Sequence, residues 1–331
     1  MNGKAAKIEC LIMIVVLLLG ISLTGCGTQQ PQVSEKPEII NISYSLRPLN
    51  VPTIVAMEKK MFEEAMAAEG IEVKWHELEG PATTEALASK AIDMAVSLNY
   101  VTAIISKANG NPIEIISSYA RFPKAIGLIA ARDAGVASVA ELKGKKVAVK
   151  KGTMLQEMLI KALDEAGVKA GDLEIVDMES ANAANAVLLK QVDAVVLPDP
   201  LLMKTLASGE TIMLRSAEGL ILGQAVIAAR SDFLEQYPDL VRKFLQVHKQ
   251  AYQWSLDNAQ EALDLTAKVV NMDIKAVNAL YPKFDFSLEI DESNIKQLKE
   301  SADFLQANGF IDKEIDTQDL IADLVDTSYL P

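Results

Sequence analysis

From Ile39 to Asp232, short apolar runs of strand length alternate with stretches whose apolar positions recur at helical spacing. That alternation predicts an α/β architecture with a largely parallel sheet flanked by helices. The strand candidates are Ile39–Ser45, Glu72–Leu78, Met94–Ser97, Glu114–Ser118, Lys146–Val149, Glu174–Met178 and Ala194–Leu197. Between them the helices carry readable ends. Asn50 or Thr53 opens one that closes at Gly70, and Ser180 precedes Ala181–Lys190. Ser138 with Glu141, and Thr153 with Gln156, have the spacing of a reciprocal N-terminal cap. Beyond Asp232 the pattern becomes helical: Leu240–Leu256, Gln260–Val270, Ile274–Leu280 and Ser293–Asn308, punctuated by Pro238, Pro282 and Gly309.

Two internal echoes suggest that this unit is used twice. Residues 86–96, ALASKAIDMAV, parallel residues 186–196, AVLLKQVDAVV, and both read as helix, tight turn, Asp and buried strand. Ile129-Ala130-Ala131-Arg132-Asp133 likewise parallels Ile227-Ala228-Ala229-Arg230-Ser231-Asp232, and each is a candidate for the strand by which the chain changes lobe. The expected division is 39–132 in a first lobe, 133–223 in a second, and 224–331 returning to the first with the helical C-terminal region.

The N-terminus is organised differently. Lys4 and Lys7 precede the apolar run Leu11–Leu19, and Leu23-Thr24-Gly25-Cys26 follows it. The order resembles a bacterial lipoprotein signal; an N-terminal membrane anchor is the other reading. The resemblance implies cleavage of residues 1–25, lipidation of Cys26, an extracytoplasmic location tied to the membrane, and a flexible tether over 26–38.

Without residues 1–25, which hold Lys4, Lys7 and Glu9, 30 basic and 44 acidic side chains remain, a formal charge of −14. Phosphate backbones repel such a body, so nucleic acid is not expected as a partner. The remaining 306 residues exceed the usual size of one domain, which favours two lobes. The body left after Cys10 and Cys26 has no thiol, so disulfides, Cys-ligated zinc and cysteine nucleophiles are excluded. His76 alternates with Trp75 on a strand and reads as solvated, whereas His248 falls on the stripe Val241, Phe244, Leu245, Tyr252 and reads as a core histidine. Neither has a catalytic partner nearby in sequence. No enzyme activity, metal or cofactor is expected.

Leu142-Lys143-Gly144-Lys145-Lys146-Val147-Ala148-Val149-Lys150-Lys151-Gly152-Thr153 closely resembles a stretch of periplasmic solute-binding proteins of the aliphatic sulfonate, nitrate and taurine family. Glu77-Leu78-Glu79-Gly80-Pro81, Glu85-Ala86-Leu87 with Ile92-Asp93, Val192-Asp193-Ala194 before Asp199-Pro200, Tyr237-Pro238-Asp239-Leu240-Val241 and Phe284-Asp285-Phe286 follow in the family's order. The resemblance covers about Ile40 to Val325. It implies a bilobal type II periplasmic binding protein fold, a monomer that holds a small solute between its lobes and delivers it to ABC permease subunits. Pro198 stands where many relatives have Trp, and Ser97-Leu98-Asn99-Tyr100 where many have Gly and Pro, so the solute is left open: an organic anion, or a heterocycle such as a thiamine-precursor pyrimidine.

In open α/β sheets, strand C-termini and helix N-termini converge on one edge, where unpaired N–H groups favour anions. The ligand candidates there are Ser45, Arg47, Gly80, Pro81, Ser97, Asn99, Tyr100, Tyr119, Arg121, Gly152, Thr153, Met154, Asn182 and Asp199. Thr153 and Met154 could hold an oxyanion, or Thr153 could serve only as a cap. Arg47 and Arg121 suit a bidentate sulfonate or carboxylate, or else structural ion pairs. Tyr100 and Tyr119 could stack on an organic moiety or pack in the core, and Asp199 could contact solute or hold its loop.

Overall fold

The alternation of strands and helices resolves into two five-stranded sheets of matching design. The structure, a computed structural model, describes residues 36–46 and 49–331; the leader, Cys26 and nearly all of the tether lie outside them, as does Arg47. The first sheet has the order β2-β1-β3-β10-β4, with β1 Ile39–Tyr44, β2 Glu72–Glu77, β3 Met94–Asn99, β4 Ile113–Arg121 and β10 Gln224–Arg230. The second has the order β7-β6-β8-β5-β9, with β5 Ile126–Ala131, β6 Lys146–Val149, β7 Glu174–Asp177, β8 Ala194–Pro198 and β9 Thr211–Ser216. In each, four strands run in one direction and the fourth in spatial order, β10 or β5, runs antiparallel to both neighbours.

Those two antiparallel strands are the Ile-Ala-Ala-Arg echoes. One expectation needs correction: β5 belongs to the second sheet, not the first, because it hydrogen-bonds along its length to β8 and β9. The chain therefore crosses at Phe122–Ala125, before β5, rather than after Arg132. The return crossing, through Ala217–Gly223, lies beside the first. The Phe122 N–H donates to the carbonyls of Leu222 (3.2 Å) and Gly223 (3.0 Å). Gly223 has φ 56°, and a Cβ there would lie 3.3 Å from the Phe122 carbonyl carbon, so a glycine fits this waist best.

The longer echo is also one local structure made twice. Lys90 and Lys190 end their helices in the left-handed region, at φ 62° and 60°. Asp93 then accepts the Asn41 N–H of β1 at 2.8 Å, and Asp193 accepts the Lys146 N–H of β6 at 2.7 Å. Lys90 pairs with Asp232 and Lys190 with Asp133, each Asp following an antiparallel strand.

Helices α1 Val51–Glu58, α2 Met61–Ala67, α3 Pro81–Ala88 and α4 Tyr100–Ala108 accompany the first sheet; α5 Met154–Glu165, α6 Ser180–Leu188 and α7 Leu201–Ala207 accompany the second. The single helix expected up to Gly70 is broken at Lys60, which is left-handed at φ 56°. The reciprocal cap at Ser138 does not form. A 3-10 turn occupies Val139–Leu142, and Glu141 instead accepts the Ala137 N–H at 2.6 Å. After α8 Ser231–Gln236 come α9 Pro238–Asp257, α10 Ala259–Val269, α11 Ile274–Leu280, α12 Glu292–Ala307 and α13 Thr317–Leu324. α9 and α10 pack on α1, and α12 and α13 on α4, so this tail builds onto the first sheet. The main apolar core runs through both sheets; a smaller, alanine-rich one lies around Ala148, Ala183, Ala186 and Val195.

Candidate functional site

The loop-bearing edges of the two sheets meet. Tyr100, the first residue of the helix after β3, donates its hydroxyl to Glu157 Oε2 at 2.7 Å, and Glu157 lies in the first turn of the helix after β6. Asp199, just past β8, takes the Ala125 carbonyl on its N–H at 2.7 Å and pairs through Oδ2 with Lys283. Helix starts and strand ends from both sheets thus surround one seam, as the chain order requires.

Several expected ligand residues turn out to be engaged by the protein itself. Tyr100 is fully buried on Glu157, and burial together with that carboxylate raises its hydroxyl pKa well above the usual tyrosine range. Tyr119 is equally buried, its hydroxyl 2.9 Å from Thr53 Oγ1 and its ring edge-on to His248. Arg121 gives Nε and Nη2 to Asp285 and Nη1 to Asp291 and Asn294. Asp199 Oδ1 accepts the Met203 N–H at 2.9 Å, holding its loop. For Tyr100, Tyr119, Arg121 and Asp199 the structural alternative describes the geometry.

The other candidates remain at the edges. Ser45 donates to Glu79 at 3.0 Å, joining the loops after β1 and β2, where Gly80, at φ 58°, turns the chain into α3 behind Pro81. Asn99 caps α4 by accepting the Val101 N–H at 2.9 Å. Ser97, inside β3, is left-handed at φ 66°. In the second sheet Thr153 caps α5, accepting from the Leu155 N–H at 3.2 Å and donating to the Lys150 carbonyl at 2.8 Å. Gln156 reaches back to the Gly152 N–H at 2.9 Å, beside the buried Met154. Asn182 is exposed in the first turn of α6. The second-sheet edge is also electrostatically balanced, with Lys150 on Glu179 at 2.8 Å.

Neither Glu157, Asn50 nor Gln224 stands out as a functional group in the sequence, whereas Ser118 is a strand-end position there. Glu157 has zero exposure and gathers Tyr100, Gln297, Ser301 and Lys161. Asn50, Ser118 and Gln224 are buried with side-chain atoms lacking a hydrogen-bond partner. The signal available for Gln224 was a lone amide heading an otherwise apolar strand; for Glu157, an acid inside the apolar stripe of α5.

Each histidine departs from its reading in one respect: His76 is half-buried rather than solvated, and His248 is buried without full hydrogen-bonding. His76 Nε2 lies 3.0 Å from Asn41 Oδ1 on neighbouring strands. His248 is in the core, but its Nδ1 has no partner and Nε2 is 3.5 Å from Thr53 Oγ1. Burial holds its pKa down at about 4, against roughly 6.5 when unfolded. The unfolded chain therefore binds the proton first, and the stability is complete above about pH 6.5 and lost as pH falls towards 4. His248→Leu should remove about 2 kcal/mol of the wild type's stability loss between pH 7 and pH 5, measured by urea unfolding across that range. Superimposable pH profiles would refute it.

Among the described residues no group of three or more His, Cys, Asp or Glu side chains is arranged to hold a metal ion, and no helix is long and apolar enough to cross a membrane. A family model described as NMT1/THI5 like matches residues 48–262. A Bacillus subtilis (strain 168) protein named for binding aliphatic sulfonates is 32% identical over 314 residues, covering 94% of this chain and 92% of its own. The periplasmic aliphatic sulphonate binding protein SsuA from Escherichia coli is similar in structure, with TM-score 0.77 and 22% identity over 87% of this chain and 92% of its own. The alkanesulfonate-binding SsuA from Xanthomonas axonopodis pv. citri, bound to MOPS, gives TM-score 0.76 and 21% identity over 88% and 98% of the two chains. These structural likenesses establish the fold, two sheet-and-helix lobes of periplasmic binding protein type with a helical C-terminal region. With its family model and its near full-length relative in agreement, this chain belongs to the NMT1/THI5-like family.

Proposed function

We propose that this protein is the solute-binding component of an ABC importer, capturing a small organic anion of the sulfonate class between its two lobes and passing it to permease subunits. The observation that carries this reading is the 32% identity, over nearly the whole of both chains, to a protein named for binding aliphatic sulfonates. Two sheets of matching strand order joined by paired crossings give the reading a mechanism. A solute touching both edges stabilises the closed arrangement by contacts that neither edge makes alone. The heterocycle reading loses two of its three tyrosines, Tyr100 and Tyr119, to the interior, while Tyr44 stays half-buried.

The leader pattern ending at Cys26 supports a lipid-anchored protein outside the cytoplasm, and the acidic net charge of −13 agrees with a partner other than nucleic acid. The test is thermal unfolding with ethanesulfonate, taurine, MOPS, nitrate and carboxylates. A true solute at a hundred times its Kd stabilises by about 2.7 kcal/mol, a rise in melting temperature of roughly 4–5 °C for a chain of this size. Well-folded protein that responds to none of these compounds would contradict the reading.

A further inference from the structure

Of the two arginines that suit an anion, Arg47 lies outside the described residues and Arg121 is already spent, as are two lysines beside the seam. Arg121 is held by two aspartates and an asparagine, Lys150 by Glu179, and Lys283 by Asp199. Among the described residues, what the edge of the first sheet holds unspent is neutral. Asn50 Nδ2, Ser118 Oγ and both amide atoms of Gln224 are buried without a partner, in residues at most 1% exposed.

These groups form a row. Asn50 stands immediately before α1, where an asparagine ordinarily turns its side chain onto the first helical N–H groups, yet it makes no such bond. Its Oδ1 instead accepts from Ser97 Oγ at 3.4 Å, which leaves Nδ2 unused. Ser97 belongs to a bulge: Leu98 pairs with Val226 and Ala95 with Ala228, so Val96 and Ser97 together oppose Ile227. A left-handed serine in a bulge is a device that re-aims a side chain, and such devices concentrate at binding sites. Val226 pairs on its other side with Ser118, and Gln224 heads the same strand two residues earlier. Along the hydrogen-bonded order β1, β3, β10, β4, one polar group after another reaches the same edge.

We propose that Asn50 Nδ2, Gln224 Nε2 and Ser118 Oγ form the receptor for the solute's head group, three neutral donors set against a fully ionised three-oxygen anion. The assignment rests on the solute-binding reading above. A sulfonate spreads one charge over three equivalent oxygens and carries no proton at neutral pH, so three donors match it while a bound proton on the protein is not required. Buried amides with unpaired atoms are otherwise rare in folded interiors, which is the independent reason for assigning these a ligand.

The test measures calorimetric binding of ethanesulfonate, taurine and MOPS to the wild type, Gln224→Leu and Asn50→Asp, with melting of each protein alone. Losing a hydrogen bond to a charged group should weaken the Gln224→Leu protein about 30-fold, while it melts without solute at the wild-type temperature or higher, since leucine leaves no polar atom unpaired. Asn50→Asp replaces a donor with a carboxylate and should lose roughly 100-fold or more. Wild-type binding with both variants within threefold overturns the receptor and leaves the solute-binding reading standing. A Gln224→Leu protein that melts several degrees lower on its own overturns it too, by making Gln224 structural. A wild type that binds none of the three compounds overturns both readings together.

Discussion

Replacing Glu157 by leucine should lower folding stability by about 3–5 kcal/mol, the largest effect expected of any single side chain described above. The carboxylate has zero exposure and receives the Tyr100 hydroxyl at 2.7 Å, Gln297 Nε2 at 2.9 Å, Ser301 Oγ at 2.8 Å and the Lys161 ammonium at 3.1 Å. Lys161 supplies the counter-charge from a position one turn along α5, with its side chain 22% exposed. Leucine would fill the space but strand three buried donors, and each unmet group carries its full desolvation cost. Glu157→Gln keeps the shape and one acceptor, so a smaller loss, about 2 kcal/mol, is expected. Because α5 belongs to the second sheet, α4 to the first and α12 to the C-terminal region, this one group ties three parts of the molecule together. Urea unfolding reads the effect. A leucine variant within 1 kcal/mol of wild type would mean that the network contributes nothing net.

The duplicated aspartates give the second prediction, a paired one. Asp93→Ala should cost about 3 kcal/mol and Asp193→Ala about 1 kcal/mol. Both side chains pin the N–H of a neighbouring parallel strand, at 2.8 and 2.7 Å. Only Asp93 also holds an arginine: Arg230 Nη2 lies 2.7 Å from Oδ1, and the two side chains are 12% and 11% exposed. The echo's other arginine, Arg132, turns away and gives Nε to the Gly209 carbonyl at 2.8 Å. Removing Asp93 therefore leaves a nearly buried guanidinium with Asp232 alone, while removing Asp193 loses one backbone partner. Equal losses in the two variants would refute the difference.

The same comparison shows how far a pattern can be read. The echoed residues 86–96 and 186–196 announced a repeated helix, turn and strand, and both copies adopt it down to the left-handed lysine. The repeat could not announce that one arginine folds onto its aspartate and the other does not. β9, Thr211–Ser216, gives no strand signal of its own, because it is a half-exposed edge strand without a sustained apolar run. β5 reads as a strand, but its sheet does not follow from its sequence, since a strand's partners are not encoded in its own period.

The candidate site was legible to the extent that it depends on chain order. Strand ends and helix starts must share an edge in this class of fold, and Ser45, Gly80, Ser97, Asn99, Gly152 and Thr153 are found there. Which of the edge residues are free to meet a solute was not legible. Arg121 is neutralised by Asp285 and Asp291, 164 and 170 residues further along, and no local spacing connects them.

The alternation of strand and helix, the twofold use of one unit and the Thr153 cap can be read from the chain alone, because periods of two and 3.6 residues and first-turn hydrogen bonds are local properties. Which sheet β5 joins, which charges cancel and which buried amides stay unpaired follow instead from partners that meet only after the chain has crossed twice between its two sheets.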